Sequence, residues 1–133
     1  MAMFAAFQVA GSGLLATRKW LDAVSDNLAN INDVSRTTDS AFRARYIVAQ
    51  AAQTGDPGGV EVVGAVFGSA AGRLVSQPGH PLADANGMVR MPDIDMGDQM
   101  VELMMAQRAY QANLTVVDRA KDAYQAALAL GKG

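Results

Sequence analysis

Apolar residues recur at alternating intervals of three and four at both ends of this 133-residue chain, and the pattern lapses between them. Near the start, Phe7, Ala10, Leu14, Thr17, Leu21, Val24, Leu28 and Ile31 fall on one narrow stripe of a helix. Near the end, Met100, Leu103, Gln107, Tyr110, Leu114, Val117, Lys121, Tyr124 and Leu128 do the same, with Ala106, Ala120 and Ala127 beside them to permit close approach. Two positions in seven make a coiled-coil seam, narrower than the face a globular-bundle helix buries. The spacing predicts a front helix over about residues 3–33, weakened in its first half by Gly11 and Gly13. It predicts a back helix from Asp95, which caps it while Asp98 places an acid in the first turn, with no breaker before Gly131.

Between the helices the periodicity shortens. Phe42–Ala49, the valine-rich Val60–Phe67 and Arg73–Val75 read as strands or extended arms. They are separated by the turn Thr54-Gly55-Asp56-Pro57-Gly58-Gly59 and followed by a turn-rich run from Gln77 to Pro92. A sheet this small needs the helices to stand. The expected architecture is mainly α with a small β part: long N- and C-terminal helices paired as a coiled coil, with a short β or extended subdomain between them. The expected segments are residues 1–35, 36–94 and 95–133.

Composition limits what such a chain does. Half of the residues are nominally apolar, but 25 of them are Ala and few are aromatic, so bulky core material is scarce. With 11 Lys and Arg against 13 Asp and Glu, the net charge of -2 gives no reason to expect nucleic acid or an anionic membrane. The absence of Cys excludes disulfides and thiolate chemistry. No run approaches the ~18 apolar residues of a membrane span. The apolar stretch Met1–Ala10 lacks a preceding basic residue, the first being Arg18, which argues against a cleaved secretory signal.

Candidate chemistry is thin. Gly11-Ser12-Gly13-Leu14-Leu15-Ala16 fits the dinucleotide pattern G-x-G-x-x-A, but a heptad stripe runs straight through the glycines where a strand and a parallel sheet are required. The better reading is a flexible or closely packed helix start. His80, the single histidine, lies in a turn between Gly79 and Pro81 and has no ligand spacing to Asp84, Asp93 or Asp95. Asp93-Ile94-Asp95 does not fill a calcium loop and reads as helix capping. No enzyme, metal or cofactor is expected. Asn27, Asn30 and Asn32 cost helix propensity, and one reading is that their amides bond to a loop or adjacent helix and fix register. The other is a fraying helix end.

Those asparagines lie in Val24-Ser25-Asp26-Asn27-Leu28-Ala29-Asn30-Ile31-Asn32, a run that resembles the N-terminal signature of the bacterial flagellar rod and hook protein family. The resemblance extends upstream through Ser12–Arg18 and Trp20-Leu21-Asp22. It recurs at the other end in Met100-Val101-Glu102-Leu103-Met104, Arg108–Asn113 and Ala120-Lys121-Asp122. Within the family, the short length, Phe42–Arg45 and Gly79–Val89 followed by Pro92 are similar to the proximal rod proteins; Leu82 and Met88 depart from that pattern.

The resemblance implies a structural subunit of the basal body, in the rod within the cell envelope, exported through the flagellar type III apparatus without a cleaved signal. Its implied partners are copies of itself, other rod proteins and the export gate, with no nucleic acid, small-molecule substrate or membrane span. Subunit contacts are expected at Leu14, Leu21, Leu28, Leu103, Tyr110, Leu114, Val117 and Leu128, with Asn27, Asn30, Arg108 and Asn113 as polar register contacts. The rival reading is a self-contained helical hairpin, such as a secretion chaperone or effector, that folds as a closed module. Narrow stripes and a glycine-weakened start predict terminal segments that order only when neighbours bury them. Circular dichroism of the dilute chain is therefore expected to show far less helix than half of the residues; a fully helical, cooperatively melting monomer counts against this.

Overall fold

The computed structural model describes residues 2–53 and 58–133. Helix α1, Ala2–Ala29, is followed by strands β1 (Arg45–Ala51), β2 (Val60–Phe67), β3 (Arg73–Ser76) and β4 (Met88–Met91), and the chain closes on α2, Met96–Gly131. The fold is mainly helical with a small β part. At 1.5 Å per residue the 36 residues of α2 extend about 54 Å. Asp95 caps it: the carboxylate accepts from the Asp98 amide at 2.8 Å, satisfying one of the donors that a helix start leaves free.

The helices run antiparallel. Phe4 meets Tyr124 edge to face, Gly13 lies against Asn113, Trp20 bonds to Glu102 and Asn27 bonds to Gln99. Close approach is possible because small residues face the contact, with Ala10, Gly13 and Ala23 of α1 and Ala106 of α2 all buried. A Cβ on Gly13 would stand 2.7 Å from the Asn113 side-chain amide, so a larger residue there would have to displace Asn113.

The strands form two separate antiparallel pairs, β1 with β2 and β3 with β4. In the first, Arg45 pairs with Phe67 and Ala51 with Val60, and a register shift between Val48 and Ala49 bends the ribbon. The end of this ribbon rests on α1, where Ser12 Oγ accepts from the Val60 amide at 3.0 Å. Gly59 stands beside it at φ +128°, a conformation open to glycine, and a Cβ there would strike Ser12 Oγ. The turn expected at Thr54–Gly59 lies largely outside the described residues.

Three local expectations are revised. The front helix stops at Ala29 rather than near residue 33, because Ile31 and Asp33 direct their amides to carbonyls three residues back, in tight turns, instead of four. Met88–Met91, placed in a turn-rich run, is strand β4, held in register opposite β3 and carrying the fully buried Val89. The first strand begins three residues later than Phe42, since Phe42 packs instead against a small cluster of Ile31, Ala44 and Ile94. This cluster joins the residues just after α1, just before β1 and just before α2; Val89, Met91 and Pro92 are buried as well.

The buried apolar set is small, and half of it is alanine: Ala10, Ala23, Ala41, Ala44 and Ala106 beside Val24, Ile31, Val89, Met91 and Ile94. The chain exposes 8622 Å². A compact monomer of its 13.9 kDa would expose about 6,700 Å². The excess is about twice the ~800 Å² that one stable protein interface removes from each partner. Glycines 11 and 13, two residues apart, should respond oppositely to substitution. Gly11 has nothing within 4 Å of an added Cβ, so Gly11→Ala should stabilise the helix by up to about 1 kcal/mol, whereas Gly13→Val should cost about 1–3 kcal/mol by overpacking against Asn113. The concentration of trimethylamine oxide needed to fold the chain, followed by circular dichroism, should fall for the first variant and rise for the second.

Candidate subunit interface

The face that α1 turns toward the rest of its own chain is Ala10, Gly13, Thr17, Ala23, Val24 and Asn27, with Trp20 half-buried among them. It shares Ala10, Thr17 and Val24 with the sequence stripe, but takes Gly13, Trp20 and Asn27 where that stripe has Leu14, Leu21 and Leu28. A helix turns 100° per residue, so the three leucines are displaced to the flank, where each is half-buried. The same one-residue displacement occurs in α2: Gln99 and Ala106 are buried, while Met100 and Gln107 are exposed. The reason is steric and polar together. Helices this close exclude leucine from the contact line, and its polar members are satisfied by bonds within the chain.

Asn27 is the centre of those bonds. It is 0% exposed, and its amide pairs with Arg45 as another strand would: Oδ1 accepts the Arg45 amide at 2.8 Å and Nδ2 donates to the Arg45 carbonyl at 3.0 Å. Nδ2 also reaches Gln99 Oε1 at 3.0 Å, so one side chain joins α1, the start of β1 and the start of α2. Asn27, expected at a contact between subunits, is thus spent inside its own chain. Asn113 is also engaged internally, packed on Gly13 and donating to Ala109 O at 3.0 Å. Asn30 caps the end of its own helix by donating to Asp26 O at 2.8 Å.

The remaining expected contact residues lie on the surface or its margin. Leu103, Tyr110, Leu114 and Val117 are half-buried along α2, and Arg108 and Leu128 are exposed. A second apolar line on α2, Val101, Met105, Ala112 and Val116, turns away from α1, with Met105 53% and Val116 46% exposed. From Lys121 onward every residue of α2 is exposed. Among the described residues, no helix is long and apolar enough to cross a membrane. These are faces suited to other helices.

Three residues whose bonds the sequence stripe did not reveal hold the unit together. Trp20 Nε1 donates to Glu102 Oε2 at 2.7 Å across the hairpin. Ser12 ties the β1–β2 ribbon to α1. Arg90 donates to the Thr37 carbonyl at 2.6 Å and to that of Ala71, and its backbone bridges to Ser35, drawing the α1–β1 and β2–β3 loops onto β4. The lone tryptophan and the Gly-Ser-Gly run were visible signals for the first two. Arg90 carried none. Farther out, Asp84 Oδ1 accepts from the amides of Asn86 and Met88, which hold its carboxyl below the usual carboxylate range.

Two family profiles match the chain, and they fall on these helices. Residues 7–36 match "Flagella basal body rod protein", and residues 85–130 match "Flagellar basal body rod FlgEFG protein C-terminal". Together they cover α1 from Phe7 onward, its turn, β4 and all but the last residue of α2. The chain is 41% identical to the flagellar basal-body rod protein FlgC of Salmonella typhimurium over 134 residues, spanning 99% of this chain and 100% of that one. It is 30% identical to FlgC of Borreliella burgdorferi over 153 residues, spanning the whole of both chains, and 30% identical to that of Bacillus subtilis over 150. The chain belongs to the FlgC family of flagellar basal-body rod proteins, which are structural components and not enzymes.

Removal of the Asn27 amide should be costly, because it strands the part-buried Arg45 peptide and the buried Gln99 side chain. Asn27→Ala is expected to destabilise the fold by about 2–4 kcal/mol, at roughly 1–3 kcal/mol per group left unsatisfied. With the chain folded by trimethylamine oxide, amide exchange is expected to speed up at Arg45, whose N–H loses its acceptor, before it does at Leu114; unchanged relative protection of the two sites would remove Asn27 from this role.

Proposed function

We propose that this chain is a subunit of the proximal rod of the bacterial flagellum, with its two helices paired as a coiled coil within the subunit and packed against those of neighbours in a tubular array. Family membership supports the rod assignment, and one structural observation supports the assembly mode. Small and polar residues hold the hairpin together, while Leu14, Leu21, Leu28, Leu114 and the outer line through Met105 and Val116 remain at or near the surface. Apolar side chains left over from internal packing are what a neighbouring helix requires.

Contacts between unlike faces generate a helical array when the rotation does not close. The function is then mechanical: each subunit passes torque along the rod through its helix faces. Its partners are copies of itself, other rod proteins and the export gate at the base, in the space between the membranes. Passage through the flagellar type III apparatus without a cleaved signal fits a cysteine-free chain with a modest core. Contacts to neighbours are assigned to Leu14, Leu21, Leu28, Leu103, Tyr110, Leu114, Val117 and Leu128, with Asn30 and Arg108 at their polar margins. Asn27 and Asn113 serve by fixing the hairpin that presents these residues. A closed hairpin module such as a chaperone accounts less well for so much exposed apolar surface.

Leu21→Asp and Leu114→Asp are each expected to abolish swimming by blocking incorporation into basal bodies while secretion of the variant continues. Purified basal bodies lacking the variant, with the variant recovered outside the cell, would be the expected result. Wild-type motility in both strains would remove these faces from the assembly.

A further inference from the structure

Of the asparagines in this chain, Asn86 alone is followed by glycine; Leu, Ile, Asp and Leu follow Asn27, Asn30, Asn32 and Asn113. An Asn-Gly pair is chemically labile, because no side chain on the second residue shields the asparagine carboxamide from the backbone nitrogen of the glycine. We infer that Asn86-Gly87 is a deamidation site gated by the fold: closed while the turn before β4 is intact, open in a chain that stays unfolded, and disabling once it has reacted.

The reaction needs only water. The Gly87 nitrogen gives up its proton to solvent and attacks Cγ of Asn86; the Cγ–Nδ2 bond breaks, ammonia leaves, and a succinimide ring closes. Water then opens the ring at either carbonyl. One opening gives aspartate. The other gives isoaspartate, in which the main chain runs through the former side chain and is a methylene longer between residues 86 and 87.

In the folded chain the attacking nitrogen is tied down. The Gly87 N–H donates to the Asp84 carbonyl at 2.9 Å, and the Gly87 carbonyl accepts from the Gln77 amide at 2.8 Å. On either side, Asp84 Oδ1 accepts from the Asn86 amide at 2.8 Å and from the Met88 amide at 3.0 Å. Turning the Gly87 nitrogen toward the Asn86 side chain strains these bonds together, so the reaction waits on local opening of the turn. Asn86 is exposed, and water has access to it. Yet glycine is required beside it. Gly87 has φ +74°, and a Cβ there would stand 3.0 Å from Pro78 Cβ and 3.2 Å from Pro78 Cα. The turn that leads into β4 thus demands the residue that makes Asn86 labile, and Asp84 supplies the restraint.

The product falls where the fold tolerates it least. Met88, the first residue of β4, donates its amide to Asp84 Oδ1 and accepts from the Asp84 amide at 2.9 Å. An added methylene just before it displaces Met88 from both bonds. With them goes the register that pairs Met88 with Ser76, seats the fully buried Val89 and aligns Arg90 with Ser35. Either product also places a new carboxylate two residues from that of Asp84, where like charges repel. A chain that lingers unfolded is thereby marked by a change that β4 cannot accommodate.

The test compares the rate of isoaspartate formation at Asn86, read by mass spectrometry of the peptide that spans it, at mildly alkaline pH in denaturant and with the chain folded by trimethylamine oxide. Folding is expected to slow the reaction about tenfold or more. Equal rates would overturn the inference, and this comparison needs no variant. Asp84→Ala is expected to raise the rate in the folded chain toward that in denaturant, where it should change nothing; Asp84→Asn, which keeps an Oδ1 acceptor, is expected to preserve the slow rate. An Asp84→Ala chain that folds and reacts as slowly as the wild type would overturn the gate. For the consequence, the chain converted to isoaspartate in denaturant is transferred to trimethylamine oxide. The Arg90 amide, which donates to the Ser35 carbonyl at 2.9 Å, is expected to lose its exchange protection while that of Leu114 keeps it. Native protection at Arg90 in the isoaspartate form would show that the reaction does not disable the fold, and would overturn that part of the inference.

Discussion

A single buried amide carries the geometry on which the other contacts of this subunit depend. Asn27 offers a donor and an acceptor to one peptide unit, that of Arg45, and shares its donor with Gln99. Three segments far apart in the chain are brought into one place with no ionised group. In a buried setting such bonds are strong because the alternative, an unpaired peptide, is expensive. The cluster of Ile31, Ala44 and Ile94 close by supplies the dry surroundings. Polar pairing therefore specifies the junction, and apolar burial excludes water from it.

The hairpin relies on proximity more than on bulk. Glycine and alanine at the contact line let the helices approach closely, and Trp20 with Glu102 closes the pair at mid-length. Such packing yields many small contacts but removes little apolar area from water. It also leaves the larger aliphatic side chains unspent. The same choice thus limits the stability of the isolated chain and stocks its surface for assembly.

Much of this was legible in the sequence, with characteristic errors. Both helices and the Asp95 cap could be read directly, because heptad spacing and capping chemistry are local properties. The phase of the contact line could not. Hydrophobic pattern ranks Leu14, Leu21 and Leu28 above Gly13, Trp20 and Asn27, whereas close packing and polar satisfaction rank them the other way. Strand β4 was hidden because four residues among turn formers carry little periodicity, and what makes Met88–Met91 a strand is its pairing with β3 and the burial of Val89. Asn27 was noticed for its cost to the helix, but its partner in β1 is 18 residues away and no spacing rule reaches it.

The contact of Gly13 with Asn113 lies inside one subunit, yet its influence extends past it. Where hairpins line a tube side by side, the separation of the two helices in each becomes a dimension of the wall itself. The bore and gauge of the finished cylinder would then depend on a residue that has no side chain. A single methyl group added there would alter a machine part at every repeat.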